Sequence, residues 1–197
     1  MSVPSQTGGA RIGPNAVLQH LPVLDAIIGE RLRNALLYRA GVEEPPADSG
    51  MLAEEDVARL HHAVRLYLPS HAPEVQRKAG LATGDYILAN RIPAAAQRVI
   101  RALPAALGVR LLTLAIAKHA WTFAGSGRFS VLGYHPLRLE IVGNPLAIGP
   151  ANGPICAWHA AVFERLYARL VWPDVRVFEE SCVAAGAPAC VFALHAS

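Results

Sequence analysis

Apolar residues recur at helical spacing through the first part of the chain. This pattern predicts a helical segment over residues 15–41, with a break or kink at Pro22 and an end at Gly41. A proline-containing loop follows, and residues 51–69 are predicted to form an amphipathic helix. The sequence therefore predicts a helical N-terminal part over residues 10–75.

The middle of the chain carries two further helical patterns. Residues 74–93 are predicted to form a short helical piece that its glycines interrupt. Residues 94–123 are predicted to form two helices, broken near Pro104 and Gly108. The second of these helices is apolar nearly all round, which predicts a central position in the fold.

The pattern changes after Gly125, where β-branched and aromatic residues alternate with polar ones. The sequence predicts a first pair of antiparallel strands, then a helix, and then a final hairpin, at residues 127–134 and 137–146, at 156–171, and at 175–182 and 190–197. Helices first and strand pairs later predict an α+β fold, with helices packed on an antiparallel sheet.

Composition narrows the class of protein. The chain has 197 residues, of which 53% are hydrophobic and 17% charged, and we expect a single domain over residues 10–197 behind a disordered tail of residues 1–9. Part of its apolar surface should contact a ligand, a partner subunit or a membrane. The formal charge is +3 with scattered arginines, so no nucleic-acid partner is expected.

The longest strongly apolar region, residues 99–123, is interrupted by prolines, glycines and cations. It predicts no transmembrane segment, although peripheral membrane contact stays open. The N-terminus shows no basic patch leading into an apolar segment, and we therefore expect a cytoplasmic location. In a reducing compartment, cysteines serve as free thiols or metal ligands more often than as disulfides.

The chain has three cysteines, and two of them fall at the facing ends of the predicted final hairpin. Cys182 and Cys190 should therefore come together, and Cys156 opens the helix that precedes them. Three thiolates and one oxygen can close a tetrahedral zinc site, and Glu179 is the nearest supplier of the oxygen. The spacing leaves other fourth ligands open, namely Glu180, His159 and His195. Small buried hydrophobic cysteines are the alternative.

Several stretches of the chain resemble the 4-vinyl-reductase domain family. They are Cys156, the segment FEESC, Cys190 followed by VFALH, the upstream segment KAGLATGDYILANRIP, and the strand pair that runs through NPL. The opening GARIGPNAVLQ resembles more narrowly the members that serve bacteriochlorophyll biosynthesis. The resemblance implies a fold like that of the ligand-binding and Golgi-transport (TRAPP-like) domains, with helices on an antiparallel sheet around an apolar cavity. It also implies a homodimer.

The resemblance implies a ligand set for the metal as well. In related sensor domains of phenol-responsive regulators, three cysteines and a glutamate hold zinc at this spacing. Carried over to this chain, those ligands fall on Cys156, Glu179, Cys182 and Cys190. A site closed by four protein ligands is structural, because it keeps no open position for water or substrate.

A second group of candidates surrounds the first predicted strand pair. Aromatic side chains there could line a flat apolar pocket, and a histidine could ligate the magnesium of a bound tetrapyrrole. The candidates are His119, Trp121, Phe123, Tyr134, His135 and Trp158. The alternative is that the aromatics are ordinary core residues and that each histidine is only hydrogen-bonded. The pair His61 and His62 is predicted to be solvated.

The motifs bear on the choice between binding and catalysis. The segment GSGRFS has only the first two glycines of a dinucleotide-binding loop and leads into a strand, and no C-x-x-C cluster suggests an iron–sulfur centre. With the resemblance, this favours an accessory protein of bacteriochlorophyll biosynthesis rather than an enzyme. It would hold a vinyl-bearing magnesium tetrapyrrole precursor and act as carrier or assembly factor for pathway enzymes.

Two alternatives remain from other classes, a vinyl reductase acting on divinyl (proto)chlorophyllide and a small-molecule sensor domain. We also expect a symmetric homodimer, since the apolar fraction is high for the surface of a small monomer. The expected contact surface lies around Leu32, Leu36 and Leu37 on the N-terminal helices.

Overall fold

The computed structural model describes residues 9–196. The predicted disordered tail therefore lies outside the described residues, apart from Gly9. The helices are α1 (Asn15–Leu18), α2 (His20–Ile28), α3 (Glu30–Ala40), α4 (Glu54–Tyr67), α5 (Ala72–Asn90), α6 (Ala94–Ala102), α7 (Ala105–Lys118), α8 (Trp121–Ala124) and α9 (Ala157–Leu170). The strands are β1 (Arg11–Ile12), β2 (Leu52–Ala53), β3 (Arg128–Tyr134), β4 (Leu137–Val142), β5 (Arg176–Ser181) and β6 (Ala189–His195).

The larger sheet is antiparallel and has four strands in the order β3-β4-β6-β5. Strand β4 lies inside it and alternates as its sequence predicts, with Leu137, Leu139 and Ile141 buried. Helix α9 packs on the sheet, where the rings of Phe163 and Phe192 lie 5.4 Å apart in an edge-to-face arrangement. The predicted α+β fold with an antiparallel sheet is confirmed.

Helix α5 is continuous through its glycines, so the predicted interruption is wrong. The glycines instead allow α5 to lie directly against α9. A Cβ atom on Gly80 would overlap the backbone oxygen of Trp158 and would lie 2.7 Å from the Cβ of Ala161. A Cβ on Gly84 would lie 2.6 Å from the Cβ of Arg165. Contacts this close require residues without side chains on the facing side of α5.

The N-terminal helices break at a glycine rather than at the proline. Pro22 lies in the first turn of α2, where a missing N–H leaves no intrahelical bond unmade. Gly29 separates α2 from α3 with φ 81°, and Gly41 ends α3 with φ 63°, as predicted. Leu36 and Leu37 belong to the buried core. The expected dimer surface therefore does not exist as predicted, and the homodimer itself stays a prediction.

Helix α7 lies at the surface, although its composition predicts a central position. Its buried side is formed by Val109, Leu112 and Ile116, while Leu107, Leu111 and Leu114 face outward. Neither α7 nor any other helix within residues 9–196 combines the length and the hydropathy that crossing a membrane requires.

Candidate metal centre and ligand cavity

Three structural elements bring the cysteines together. Cys156 is the residue before α9, Cys182 directly follows β5, and Cys190 is the second residue of β6. Strand β6 runs antiparallel to β5, and a short 3₁₀ turn at residues 183–185 returns the chain between them. The predicted hairpin is confirmed, and it places the thiols of Cys182 and Cys190 side by side under the start of α9.

The three sulfur atoms form a nearly equilateral triangle. The Sγ of Cys156 lies 3.6 Å from that of Cys190 and 3.8 Å from that of Cys182, and the Sγ atoms of Cys182 and Cys190 are 3.8 Å apart. Disulfide sulfurs lie about 2.05 Å apart, so these are free thiols. A tetrahedral zinc ion with Zn–S bonds of about 2.3 Å requires sulfur atoms about 3.8 Å apart. The triangle therefore fits zinc without rearrangement.

Glu179 completes a four-residue group that we call the cysteine cluster (Cys156, Glu179, Cys182 and Cys190). Potential ligand atoms of these four residues all lie within 4.8 Å of one another. The backbone N–H of Cys156 donates to Oε2 of Glu179 over 2.7 Å, which fixes the carboxylate. Its Oε1 is buried and has no hydrogen-bond partner among the described residues. A buried carboxylate oxygen without a donor is well suited to a metal ligand.

The rival fourth ligands are engaged or lie elsewhere. Glu180 accepts two hydrogen bonds from the guanidinium of Arg138, at 2.8 and 3.1 Å. The ring of His159 lies 3.3 Å from the backbone oxygen of Phe123, among aromatic side chains. His195 is exposed at the end of β6. A bulge in the β5–β6 pairing next to Glu180 separates the orientations of the two neighbouring glutamates.

The electrostatics of the cysteine cluster favour one negative charge in the absence of a metal. The thiols of Cys156 and Cys190 hydrogen-bond to the sulfur of Cys182, which lowers the pKa of Cys182. The same contacts, together with burial, raise the pKa of Cys156 well above its usual value. Burial raises the pKa of Glu179 to about 7. A bound divalent cation would reverse this balance and would release protons, because thiolates and carboxylate are the ligating forms.

Arg65 of α4 contributes a positive charge close to the cysteine cluster. Its guanidinium donates to the backbone oxygens of Leu146 and Ile148, at 3.1 and 3.0 Å. Burial lowers the pKa of Arg65, and the negative charge of the cluster residues opposes that shift. A tetrahedral zinc ion with three thiolates and one carboxylate carries an excess of negative charge, which Arg65 would partly offset.

The second candidate site is a cavity of about 370 Å³ between the N-terminal segment, α5, α7, α8 and α9. Four of the six predicted ligand-binding residues line it, namely His119, Trp121, Phe123 and Trp158. The other two do not. Tyr134 packs beneath the guanidinium of Arg110, and His135 is exposed in the turn between β3 and β4.

The wall of this cavity is apolar with few polar groups. Its only ionisable lining side chains among the described residues are Arg91 and His119, both exposed near the opening. Trp158 is buried, and its indole N–H has no hydrogen-bond partner within residues 9–196. An apolar wall with a few polar groups is the usual construction of a small-molecule site, and the volume lies within the common range of about 300–1,000 Å³.

A buried histidine network adjoins the cavity, and sequence reasoning missed it. His61 is buried rather than solvated, and its ring lies 4.5 Å from that of His20 and 5.5 Å from that of Trp158. Burial lowers the pKa of His20 and of His159 to about 4 and that of His61 well below its usual value. The signal was present, because His61 follows Val57 by four residues on the apolar stripe of α4.

Comparisons with known proteins place this geometry in context. The 4-vinyl-reductase domain matches residues 137–196, which include all four residues of the cysteine cluster. The chain is 58% identical over 193 residues to the bacteriochlorophyll synthase 23 kDa chain of Cereibacter sphaeroides, covering 95% of this chain and 94% of that protein. It is 52% identical over 185 residues to the protein of the same name from Rhodobacter capsulatus, covering 94% and 87%.

Solved structures share the fold at low sequence identity. An H-NOX protein from K. algicida has a TM-score of 0.64 at 7% identity, covering 94% of this chain and 97% of that one. An H-NOX protein from S. oneidensis has a TM-score of 0.56 at 11% identity, covering 94% and 99%. The phenol-responsive sensory domain of the activator PoxR has a TM-score of 0.57 at 15% identity, covering 84% and 90%.

The fold agrees with these structures, and the sequence agrees with the two curated relatives over nearly its whole length. The chain therefore belongs to the family of 4-vinyl-reductase-domain proteins that includes the bacteriochlorophyll synthase 23 kDa chains.

Proposed function

We propose that this protein serves bacteriochlorophyll biosynthesis by binding a vinyl-bearing magnesium tetrapyrrole precursor in its cavity. In this role it acts as a carrier or assembly factor for enzymes of the pathway. The observation that carries the proposal is an apolar cavity of about 370 Å³ in a chain that is 58% identical to a bacteriochlorophyll synthase 23 kDa chain. The names of both curated relatives support the pathway.

The lining of the cavity matches the chemistry of such a ligand. A flat macrocycle gains affinity mainly by burial against apolar and aromatic walls, at roughly 25 cal/mol per Å² before ordering costs are subtracted. Trp121 and Phe123 from α8 and Trp158 from α9 provide aromatic surface. His119 can offer a ring nitrogen to magnesium, and Arg91 can pair with a carboxylate on the edge of the macrocycle. Heme distortion is a property of the H-NOX family, so the fold is compatible with a bound macrocycle.

We further propose that the cysteine cluster holds a structural zinc ion. The sulfur spacing and the free Oε1 of Glu179 support this, and zinc would supply a crosslink rather than a reactive water. The crosslink would join the β5–β6 hairpin to the start of α9. Trp158 lies two residues after Cys156, so the same crosslink would position the aromatic wall of the cavity.

A spectroscopic titration tests the ligand proposal. Purified protein is titrated with magnesium protoporphyrin, and the absorption bands of the pigment should shift and sharpen until about one pigment per chain is bound. His119→Ala should alter the position of the Soret band, because it removes the magnesium ligand. His135→Ala is the matched control, since His135 is exposed and lies outside the cavity lining. An unchanged spectrum on addition of wild-type protein would contradict the proposal.

A second assay separates carrier from catalyst. The purified protein is incubated with divinyl pigment and, in turn, with NADPH, NADH and reduced ferredoxin, and the products are separated by chromatography. A carrier returns the divinyl pigment unchanged. Multiple turnovers to the monovinyl product, with no other enzyme present, would replace the carrier assignment by a vinyl reductase.

A further inference from the structure

Helix α7 carries a second apolar stripe on the side that faces away from the core. Leu107, Leu111 and Leu114 follow one another at spacings of four and three residues, and their side chains are 53%, 42% and 65% exposed. This spacing places them on one face of the helix. We call these three residues the leucine stripe. Trp121 of α8, which begins three residues after α7 ends, is 57% exposed.

The charge around the leucine stripe has a single sign. Between Asp85 and Glu140 the sequence contains no Asp or Glu, while it contains seven Lys and Arg residues. Two of these cations lie on α7 itself. Lys118 follows Leu114 by four residues and continues the stripe, and Arg110 lies beside it; both are exposed. The guanidinium of Arg110 lies 5.2 Å from the ring centre of Tyr134, which holds this cation at the flank of α7.

The same two helices also line the cavity. Leu112, Ala115 and Ile116 of α7 and Trp121 of α8 belong to its wall, and Ala115 and Trp121 are exposed as well. The opening of the cavity therefore adjoins the leucine stripe. A surface that contacts another body through the stripe would bring that body to the opening.

We propose that α7 and α8 dock this protein on the surface of an anionic lipid bilayer, with the cavity opening toward the bilayer. A helix that lies in a membrane interface combines exposed leucines and an aromatic side chain with Lys and Arg and without acids. Anionic lipid attracts the cations at the surface, the leucines enter the acyl boundary, and Trp121 lies at headgroup depth. An apolar ligand could then pass between bilayer and cavity without crossing water.

Charge complementarity favours lipid over a second copy of this chain. A two-fold contact between two such faces would bring Arg110 and Lys118 of both copies together with no acid from residues 86–139 to offset them. An anionic bilayer supplies the missing negative charge over the whole face. The docking does not depend on pigment binding, so it can fail or succeed independently of the proposed function.

Sedimentation with vesicles tests the docking. The full chain is mixed with vesicles made of equal parts phosphatidylglycerol and phosphatidylcholine, and separately with vesicles of phosphatidylcholine alone. The protein should sediment with the anionic vesicles, and added salt should release it. Arg110→Gln combined with Lys118→Gln should weaken binding by about fivefold per cation removed. The fluorescence of Trp121 should shift to the blue on binding, and Trp121→Phe should abolish that shift.

Leucine variants give the sharper comparison. Leu107→Gln combined with Leu114→Gln should weaken vesicle binding at least about tenfold. The matched control combines Leu32→Gln with Leu66→Gln, two leucines of α3 and α4 that are 57% and 56% exposed. Circular dichroism and the melting temperature verify that both double variants fold. The proposal is overturned if the two double variants bind alike, or if wild type ignores anionic vesicles. It is also overturned if light scattering shows that the stripe joins two copies of the chain instead.

Discussion

Removal of one thiolate from the cysteine cluster is predicted to destabilise the protein only when zinc is present. Zinc binding stabilises the folded state by RT ln(1 + [L]/Kd), which is about 4 kcal/mol at a free zinc concentration of about 1,000 Kd. For a chain of this length, each kcal/mol changes the melting temperature by about 2–4 °C. Zinc should therefore raise the melting temperature of the wild type by about 8–16 °C.

The structure explains why Cys182→Ser should remove most of this gain. The sulfur of Cys182 lies 3.8 Å from both other sulfurs, so it forms one corner of the triangle that a tetrahedral zinc ion requires. Without zinc, the same substitution should cost about 1 kcal/mol or less, since it replaces one small buried thiol with a hydroxyl. Differential scanning fluorimetry with and without a chelator measures both differences, and elemental analysis gives the zinc content per chain.

Two neighbouring glutamates provide the matched comparison. Glu179→Gln should lower the affinity for zinc, because it removes the charge of the proposed oxygen ligand. Glu180→Gln should leave zinc affinity unchanged, because Glu180 is engaged with Arg138. A wild-type melting temperature that is the same with zinc and with chelator would refute the reasoning. Equal effects of Cys182→Ser in both conditions would refute it as well.

Three further predictions concern the core and the cavity. In chelator-treated Glu179→Gln protein, unfolding by urea should show stability lost as pH falls from about 6.5 toward 4, since His20 and His159 are buried with pKa values of about 4; each should cost about 2 kcal/mol by about pH 5, and a flat profile would contradict this. Gly80→Ala should destabilise by about 1–3 kcal/mol in urea although alanine favours helices, because its Cβ would lie 2.7 Å from that of Ala161; a stabilised variant would contradict the close packing of α5 on α9. Arg91→Gln should weaken binding of a magnesium porphyrin free acid about tenfold and leave its methyl ester unaffected, as measured by absorbance titration; equal loss for both would show that Arg91 does not bind the carboxylate.

The sequence predicts the sheet half of the protein better than the helical half. Alternation in β4 and the positions of Cys182 and Cys190 are local signals, and antiparallel pairing converts them directly into spatial neighbours. The glycines of α5 were misinterpreted for a different reason. Gly80 weakens a helix by its own propensity, and only the close approach of α9, a partner distant in sequence, explains its presence.

Two other errors have the same origin. The composition of α7 predicts burial, but composition cannot distinguish a helix covered by protein from one whose outer leucines meet another body. His61 was assigned to solvent because of its residue type, although its position on α4 matches the buried stripe. The cavity lining was found in part, since Trp121 and Trp158 lie on separate helices that only tertiary packing brings together.

Pigment recovered with the protein from pigment-making cells tests the central claim most directly. Ala115 lines the cavity near its opening, so Ala115→Trp should fill it, while Ala117→Trp adds the same side chain to the same helix outside the lining. Both variants and the wild type are purified from such cells, and their absorption spectra are recorded. The account predicts a Soret-type band that co-elutes with wild type and with Ala117→Trp but is lost in Ala115→Trp. A wild type without the band, or a band that persists unchanged in Ala115→Trp, would contradict it.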